Sequence, residues 1–356
     1  MPTTHTDTIK TDASLRDRLL AQRTTQPGAR IRQLADALGV PEGAAIAALC
    51  GMESTRLAPR WETFFEELPR LGAVMALTRN DAVVHEKDGE YGRITFIGHM
   101  VQVANTHIDL RIFLQHWRHL FAVTQETQSG PLLSFQIFDK AGQAVHKIYL
   151  RPTSNKTAYT EIVRLLEHDD QSTDVAYAPA PAPRSKYSGG TPDVSALRSR
   201  WAAMKDTHDF YPMITEQGLT RLEACNLAGP DWAVPLAPAG IESLLQDAAA
   251  DALPIMVFAG NAGCIQIHTG PVQQIKRIGP WLNVLDPDFN LHMHMEQITE
   301  AWLVRKPTVD GLVHSIECFD KRGHDVALFF GERKPGRPER DAWRSLAETT
   351  AARGAL

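Results

Sequence analysis

"LLSFQIFDKAGQAVHKIYL", residues 132–150, returns in altered form as "LVHSIECFDKRGHDVALFFG", residues 312–331. Both carry Phe-Asp-Lys-x-Gly between apolar runs, and Phe138 and Phe319 stand 181 residues apart. Apolar alternation on either side of a short Asp/Gly-containing turn is a hairpin signal. The same spacing holds upstream, where "DLRIFLQHWRHLFAV" (109–123) falls on "NLHMHMEQITEAWLV" (290–304). Further back, "ADALGVPEGAAIAALCG" (35–51) resembles "ITEQGLTRLEACNLAG" (214–229) at a spacing of 179 when Gly39 is set on Gly218. The chain therefore reads as a tandem duplication. Residues 1–170 form one repeat and 196–356 the other. The Pro/Ala/Gly-rich stretch 171–195, without periodicity, is a semi-stiff linker between them.

Each half opens with helical patterns, in the first "SLRDRLLAQR", "RIRQLADALGV" and "RWETFFEELPRLG". Strand-like runs follow: "AVMALTR", "DAVVHEK" and "RITFIGHMV". The apolar spacing of Leu110, Phe113, Leu114 and Trp117 predicts a short helix next, capped by Asp109, or by Asn290 in the second half. The hairpin closes the half. There is no βαβ alternation, so the fold class is α+β with two similar halves, each a large, mainly antiparallel sheet with helices.

A chain of 356 residues with a formal charge of −5 is a poor candidate for a general nucleic-acid binder. Cys50, Cys225, Cys264 and Cys318 show no C-x-x-C spacing, which fits free thiols in a reducing cytoplasm. No apolar run approaches the length of a membrane span, and the first residues carry no signal-peptide pattern. "IRQLADALGVPEGAAIAALCG" has a helix-turn-helix outline, but its second helix carries no Arg, Lys, Asn or Gln to read bases. It reads as a structural hairpin. The fingerprints of dinucleotide enzymes, kinases, serine hydrolases and zinc proteases are missing.

Against that background "WAAMKDTHDFYPMITEQG" (201–218) stands out. His208 extends the helical spacing of Leu197, Trp201 and Met204 toward Tyr211, with Pro212 ending the pattern. The ring suits a buried structural histidine, a catalytic base or a metal ligand. Its counterpart in the first half is Ala29, so the shared fold does not require it. With no second ligand nearby, a lone imidazole fits a metal that arrives with its own other ligands, and haem is the obvious case. Tyr211 is assigned packing, or second an alternative axial ligand. Arg111, in the first turn of its predicted helix, is placed against the dipole, which suggests a donor aimed at a ligand. His292 and His294 form an H-x-H pair that would diverge on a helix. Arg221, Lys306 and Arg333 are cations suited to carboxylates through forked or single contacts.

"RLGAVMALTRNDAVVHEKDGEYGRI", "HIDLRIFLQHW", "KDTHDFYPMI" and "FFGERKPGRPE" resemble the cytoplasmic haemin-degrading and haem-trafficking family known as HemS, HmuS, ChuS or PhuS. The resemblance covers nearly the whole chain. It implies two similar halves with haem, of the haem b type, in a cleft between them. It implies that His208 is the proximal iron ligand, that Arg111 lies on the distal side with Phe113 in the same pocket, and that Lys306 and Arg333 lie near the propionates or the distal side. Arg221 is a further propionate candidate. Phe330 stands where the family carries a tyrosine, so a phenol donor is lost there. The activity implied is haem carriage from a membrane importer to a separate oxygenase, with haem degradation as the alternative.

Overall fold

A computed structural model describes residues 14–173, 175–179, 190–334 and 336–354. Most of the linker core and the first thirteen residues lie outside the described residues. The first half runs α1 (Leu15–Thr25), α2 (Ile31–Leu38), α3 (Glu42–Ala48), β1 (Ser54–Leu57), α4 (Trp61–Glu67), β2 (Val74–Arg79) and β3 (Val83–Gly89). It continues with β4 (Ile94–Ile97), β5 (Met100–Ala104), β6 (Asp109–Phe113), β7 (His119–Thr127), β8 (Gly130–Phe138), β9 (Ala144–Leu150) and α5 (Lys156–Leu166). The second half repeats the order. It runs α6 (Val194–Ala202), α7 (Phe210–Glu216), α8 (Arg221–Ala228), β10 (Ala233–Leu236), α9 (Gly240–Ala250), β11 (Ile255–Asn261) and β12 (Cys264–Gly270). Then come β13 (Ile275–Ile278), β14 (Trp281–Leu285), β15 (Phe289–His294), β16 (Ile298–Thr308), β17 (Gly311–Asp320), β18 (Asp325–Gly331) and α10 (Asp341–Arg353).

The repeated hairpins form as their turn chemistry dictates. Asp139 Oδ1 accepts from the amides of Ala141 and Gln143, and Asp320 Oδ1 accepts from those of Arg322 and His324. Gly142 and Gly323 supply the positive φ, +75° and +80°.

The short helix expected at 109–117 is a strand. Leu110 and Ile112 are buried while Asp109, Arg111 and Phe113 are half-exposed, a period of two. Only Leu114–His116 forms a single 3-10 turn. Residues 290–294 likewise belong to β15, not a helix capped by Asn290. Partners from the other half decide this. β6 pairs with β12, Arg111 opposite Ile265, and β15 pairs with β3, His292 opposite Val84.

Two nine-stranded antiparallel sheets result, ordered β1-β7-β8-β9-β2-β3-β15-β14-β13 and β10-β16-β17-β18-β11-β12-β6-β5-β4. Each half thus lends three strands to the sheet of the other. The cores still follow the sequence halves. α4 and α5 pack Phe64, Phe65 and Ile162 between the back of the first sheet and the lent strands β5 and β6. α9 and α10 do the same with Ile241, Leu244 and Trp343 beneath β11, β17, β14 and β15.

Two asparagines lock the exchange. Asn80, after β2, donates to the carbonyls of Gly260 and Val326 and accepts from the amides of Ala82 and Val83. Asn261, 181 residues on, donates to the carbonyls of Arg79 and Val145 and accepts from Gly263 and Cys264. Each side chain uses its full bonding capacity, half of it across the junction. Asn80→Ala should therefore lower the unfolding free energy by about 2–3 kcal/mol. A urea midpoint unchanged from wild type would contradict that.

All four cysteines are free and buried. No helix among the described residues is long and apolar enough to cross a membrane. In the helix-turn-helix-like segment α3 is almost wholly buried, so it presents no reading face.

Candidate functional site

Antiparallel partners point to the same side of a sheet. On the front of the second sheet this aligns Phe330, Met256, Phe258, Ile265, Arg111 and Phe113 across β18, β11, β12 and β6. Helices α6–α8 cover β16 and β17 on this side, burying Trp201, Phe210, Met213, Trp302 and Val304. They stop short of the next strands, and all six aligned residues are half-exposed. From β18 to β6 is three inter-strand steps, or about 14 Å. The result is an apolar shelf, with Phe258 and Phe330 meeting edge to face at 5.2 Å.

The counterparts of the six shelf residues at the spacing of 181 are Tyr149, Met75, Leu77, Val84, His292 and His294, and it is their neighbours on that face that are charged. Lys147 stands for Leu328, Arg79 for Gly260 and Glu86 for Ile267, at the common spacing of 181. Glu42 on α3 bridges Lys147 and Arg79.

His208 does not lie in an apolar stripe; it stands two residues before Phe210, whose ring meets Lys306 beside Phe330 of the shelf. Leu197, Trp201 and Met204 are buried as the spacing predicted, but the His208 side chain is 94 % exposed. Tyr211, assigned to packing, is 66 % exposed. The reason is local. α6 ends at Ala202, and Asp206 caps a new turn, Thr207–Asp209, which resets the helical phase before α7. Pro212 does not end a helix; it sits in the first turn of α7, where no donor is lost. Asp206 Oδ1 accepts from the His208 backbone amide at 2.8 Å and from its ring Nδ1 at 2.6 Å. Nε2 is thereby left outward and free. The Asp206 carboxyl lies below its usual value, chiefly through the bond from the His208 amide and then that from the ring.

The next turn is pinned to the shelf. Phe210 lies beneath Lys306 Nζ at 4.7 Å and the Arg221 guanidinium at 4.9 Å, and Lys306 Nζ is also 5.6 Å from the Phe330 ring. Both cations are committed to Glu317. Lys306 Nζ binds Glu317 Oε1 and lies 3.3 Å from Ser315 Oγ. Arg221 Nη1 reaches Glu317 at 3.2 Å, and Nε lies 3.9 Å from Asp325. Burial raises the Glu317 carboxyl, but the Lys306 and Arg221 charges outweigh it and hold it at about 2. Burial pulls the Lys306 ammonium below its ordinary value. Lys306 and Arg221 thus serve as a buried wall in this structure, not as open cations.

Arg333 differs. Its Nε is buried without a hydrogen-bond partner among the described residues, and its charge acts on Asp206. It is a cation beside the shelf with bonding capacity to spare. Arg111, across the shelf, is tied to Asp109 and to the Leu110 carbonyl at 3.2 Å. In a strand it faces no helix dipole, so that part of the sequence argument falls. His292 and His294, on a strand, do share a face. Nδ1 of His292 meets Asn283 Oδ1 at 2.7 Å, and His294 packs against Trp281 at 4.8 Å. No cluster of three or more potential metal ligands occurs among the described residues.

A flat, largely apolar macrocycle with a coordinating metal and carboxylate arms fits this set of groups. The haemin-degrading HemS/ChuX domain model matches residues 39–166 and again 218–350. The chain belongs to that family. It is 33 % identical to the hemin transport protein HmuS of Yersinia pestis over 94 % of this chain and 96 % of the relative. Holo-PhuS, a heme-binding protein from Pseudomonas aeruginosa, superposes with a TM-score of 0.91 at 43 % identity, covering 94 % of this chain and 97 % of its own. ChuS, an E. coli heme oxygenase, superposes at 0.84 with 30 % identity over 94 % and 98 % of the two chains. In this HemS/ChuX chain the sequence missed three groups: Asp206, Glu317 and the shelf floor of Met256, Phe258 and Ile265. Glu317 had a signal, a lone acid inside the apolar run "SIECF". The floor had none, because its alignment with Arg111 and Phe113 depends on strand exchange.

Proposed function

We propose that this protein binds haem b on the open face of the second sheet, with His208 as the axial ligand and Arg111 on the other side. Its role would be to receive imported haem in the cytoplasm and deliver it. The observation that supports the reading is the half-exposed apolar shelf, with an exposed imidazole on the turn before Phe210 and the Arg333 Nε without a hydrogen-bond partner among the described residues. Phe258, Phe330, Met256 and Ile265 would cover the macrocycle, and Phe113 would pack beside Arg111. Arg333 would meet a propionate through charge-assisted bonds. Lys306 and Arg221 would act by holding Phe210, and with it the His208 turn, and would reach a propionate only by sharing their charge with Glu317. The membrane importer that loads the protein and an oxygenase that unloads it are the partners this role requires.

When bound, haem supplies a redox-active iron and an oxidisable ring. The degradative reading is favoured by the likeness to ChuS and by Arg111, a cationic donor able to steady negative charge developing on the face opposite His208. The test is an absorption titration of the purified protein with haemin, followed by a reductant with catalase present. A Soret shift that saturates at one haemin per chain supports the site. Stable ferrous haem that passes to an added oxygenase supports delivery, and release of iron with a defined tetrapyrrole supports degradation. No saturable shift overturns both.

A further inference from the structure

The pairing of Asp206 with His208 determines more than the pose of the ring. We infer that Asp206 is a positioning residue that gives the His208 imidazole partial imidazolate character and so biases the site toward ferric over ferrous haem. The inference rests on His208 being the axial ligand.

Three observations support it. The Asp206 carboxylate takes Nδ1–H at 2.6 Å, so the tautomer with a free Nε2 is fixed before any ligand arrives. The carboxylate is itself held, since Oδ1 also accepts the His208 amide and the turn is closed by a reciprocal capping box with Asp209. Among the described residues the only ion pair of Asp206 is with His208, so no lysine or arginine neutralises the carboxylate by direct pairing. In the open structure this contact is wet, with side chains 94 % and 63 % exposed, and worth little. A flat ligand on the shelf would cover the imidazole and lower the local dielectric, which strengthens the bond. More negative charge on the nitrogen donor stabilises the higher oxidation state of the metal. Asp206 thus favours keeping the cargo oxidised during carriage and makes reduction the step a downstream partner must drive.

The test compares wild type with Asp206→Asn and Asp206→Ser. Both substitutions can cap the turn. Asn retains only a neutral acceptor for Nδ1, and Ser is too short to reach it. Asp206→Asn should weaken ferric haemin binding about tenfold and leave ferrous binding unchanged. The midpoint potential then rises by about 59 mV, one decade for a one-electron couple. The ferrous iron–histidine stretching frequency should fall. Asp206→Ser should move both readouts at least as far. If the variants fold and bind haemin with potential and stretch unchanged, Asp206 is only a cap and the inference fails. If His208→Gly leaves the haemin spectrum unaltered, the ligand assignment fails instead. If added imidazole restores the spectrum of His208→Gly, that assignment stands and the Asp206 variants decide.

Discussion

His208→Ala should abolish the wild-type Soret position and weaken haemin binding by more than about 100-fold, since even second-shell losses at such sites cost 10–100-fold. The ring is 94 % exposed, and its bond to the exposed Asp206 carboxylate contributes little to stability. The variant should therefore unfold at the wild-type urea concentration, which separates lost ligation from lost structure. An unchanged absorption spectrum would remove His208 from the site. The shelf would then have to be reread as an apolar surface without a metal ligand.

The second large effect is on stability. Glu317→Ala leaves Lys306 and Arg221 buried beside one another with no carboxylate between them, which should cost about 3–5 kcal/mol. Its pH dependence follows from the depressed carboxyl. The Lys306 and Arg221 charges hold Glu317 at about 2 in the fold against an ordinary value of 4.5. The unfolded chain therefore takes up the proton first as acid is added. The contribution of Glu317 is complete above about pH 4.5, declines below it, and is lost once the pH has fallen through about 2. Urea unfolding at pH 7, 5 and 3 should show the gap between wild type and Glu317→Gln constant over the first two and narrower at the third. Equal midpoints at pH 7 would mean that the cluster is solvated and that its charges do not depend on one another.

The duplication, the strand runs and the Asp/Gly hairpins were legible because each is written in adjacent residues. The β6 segment misled because Leu110, Phe113, Leu114 and Trp117 imitate a helical face, while Leu110 and Ile112 inside and Arg111 and Phe113 outside follow the strand period. What decides between them is β12, some 150 residues away, and no local pattern announces that pairing. His208 was found by its oddness, but its surroundings were misread, because a cap at Asp206 breaks the helical phase. Arg221 and Lys306 read as available cations because a single acid in β17 claims both. Charge partners across a sheet are invisible to spacing.

The exchange of strands sets a timetable for synthesis. The outer edge of β3, ending at Gly89, receives its native neighbour only when Phe289–His294 has been made, 200 residues later. At about 5–20 residues per second that is about 10–40 s on the ribosome. During that interval the segment 109–113, already made and the counterpart of 290–294, is a rival for the same edge. Folding of this chain therefore includes a choice between an early, self-contained pairing and a late, reciprocal one, and the paired asparagines at 80 and 261 reward the late one.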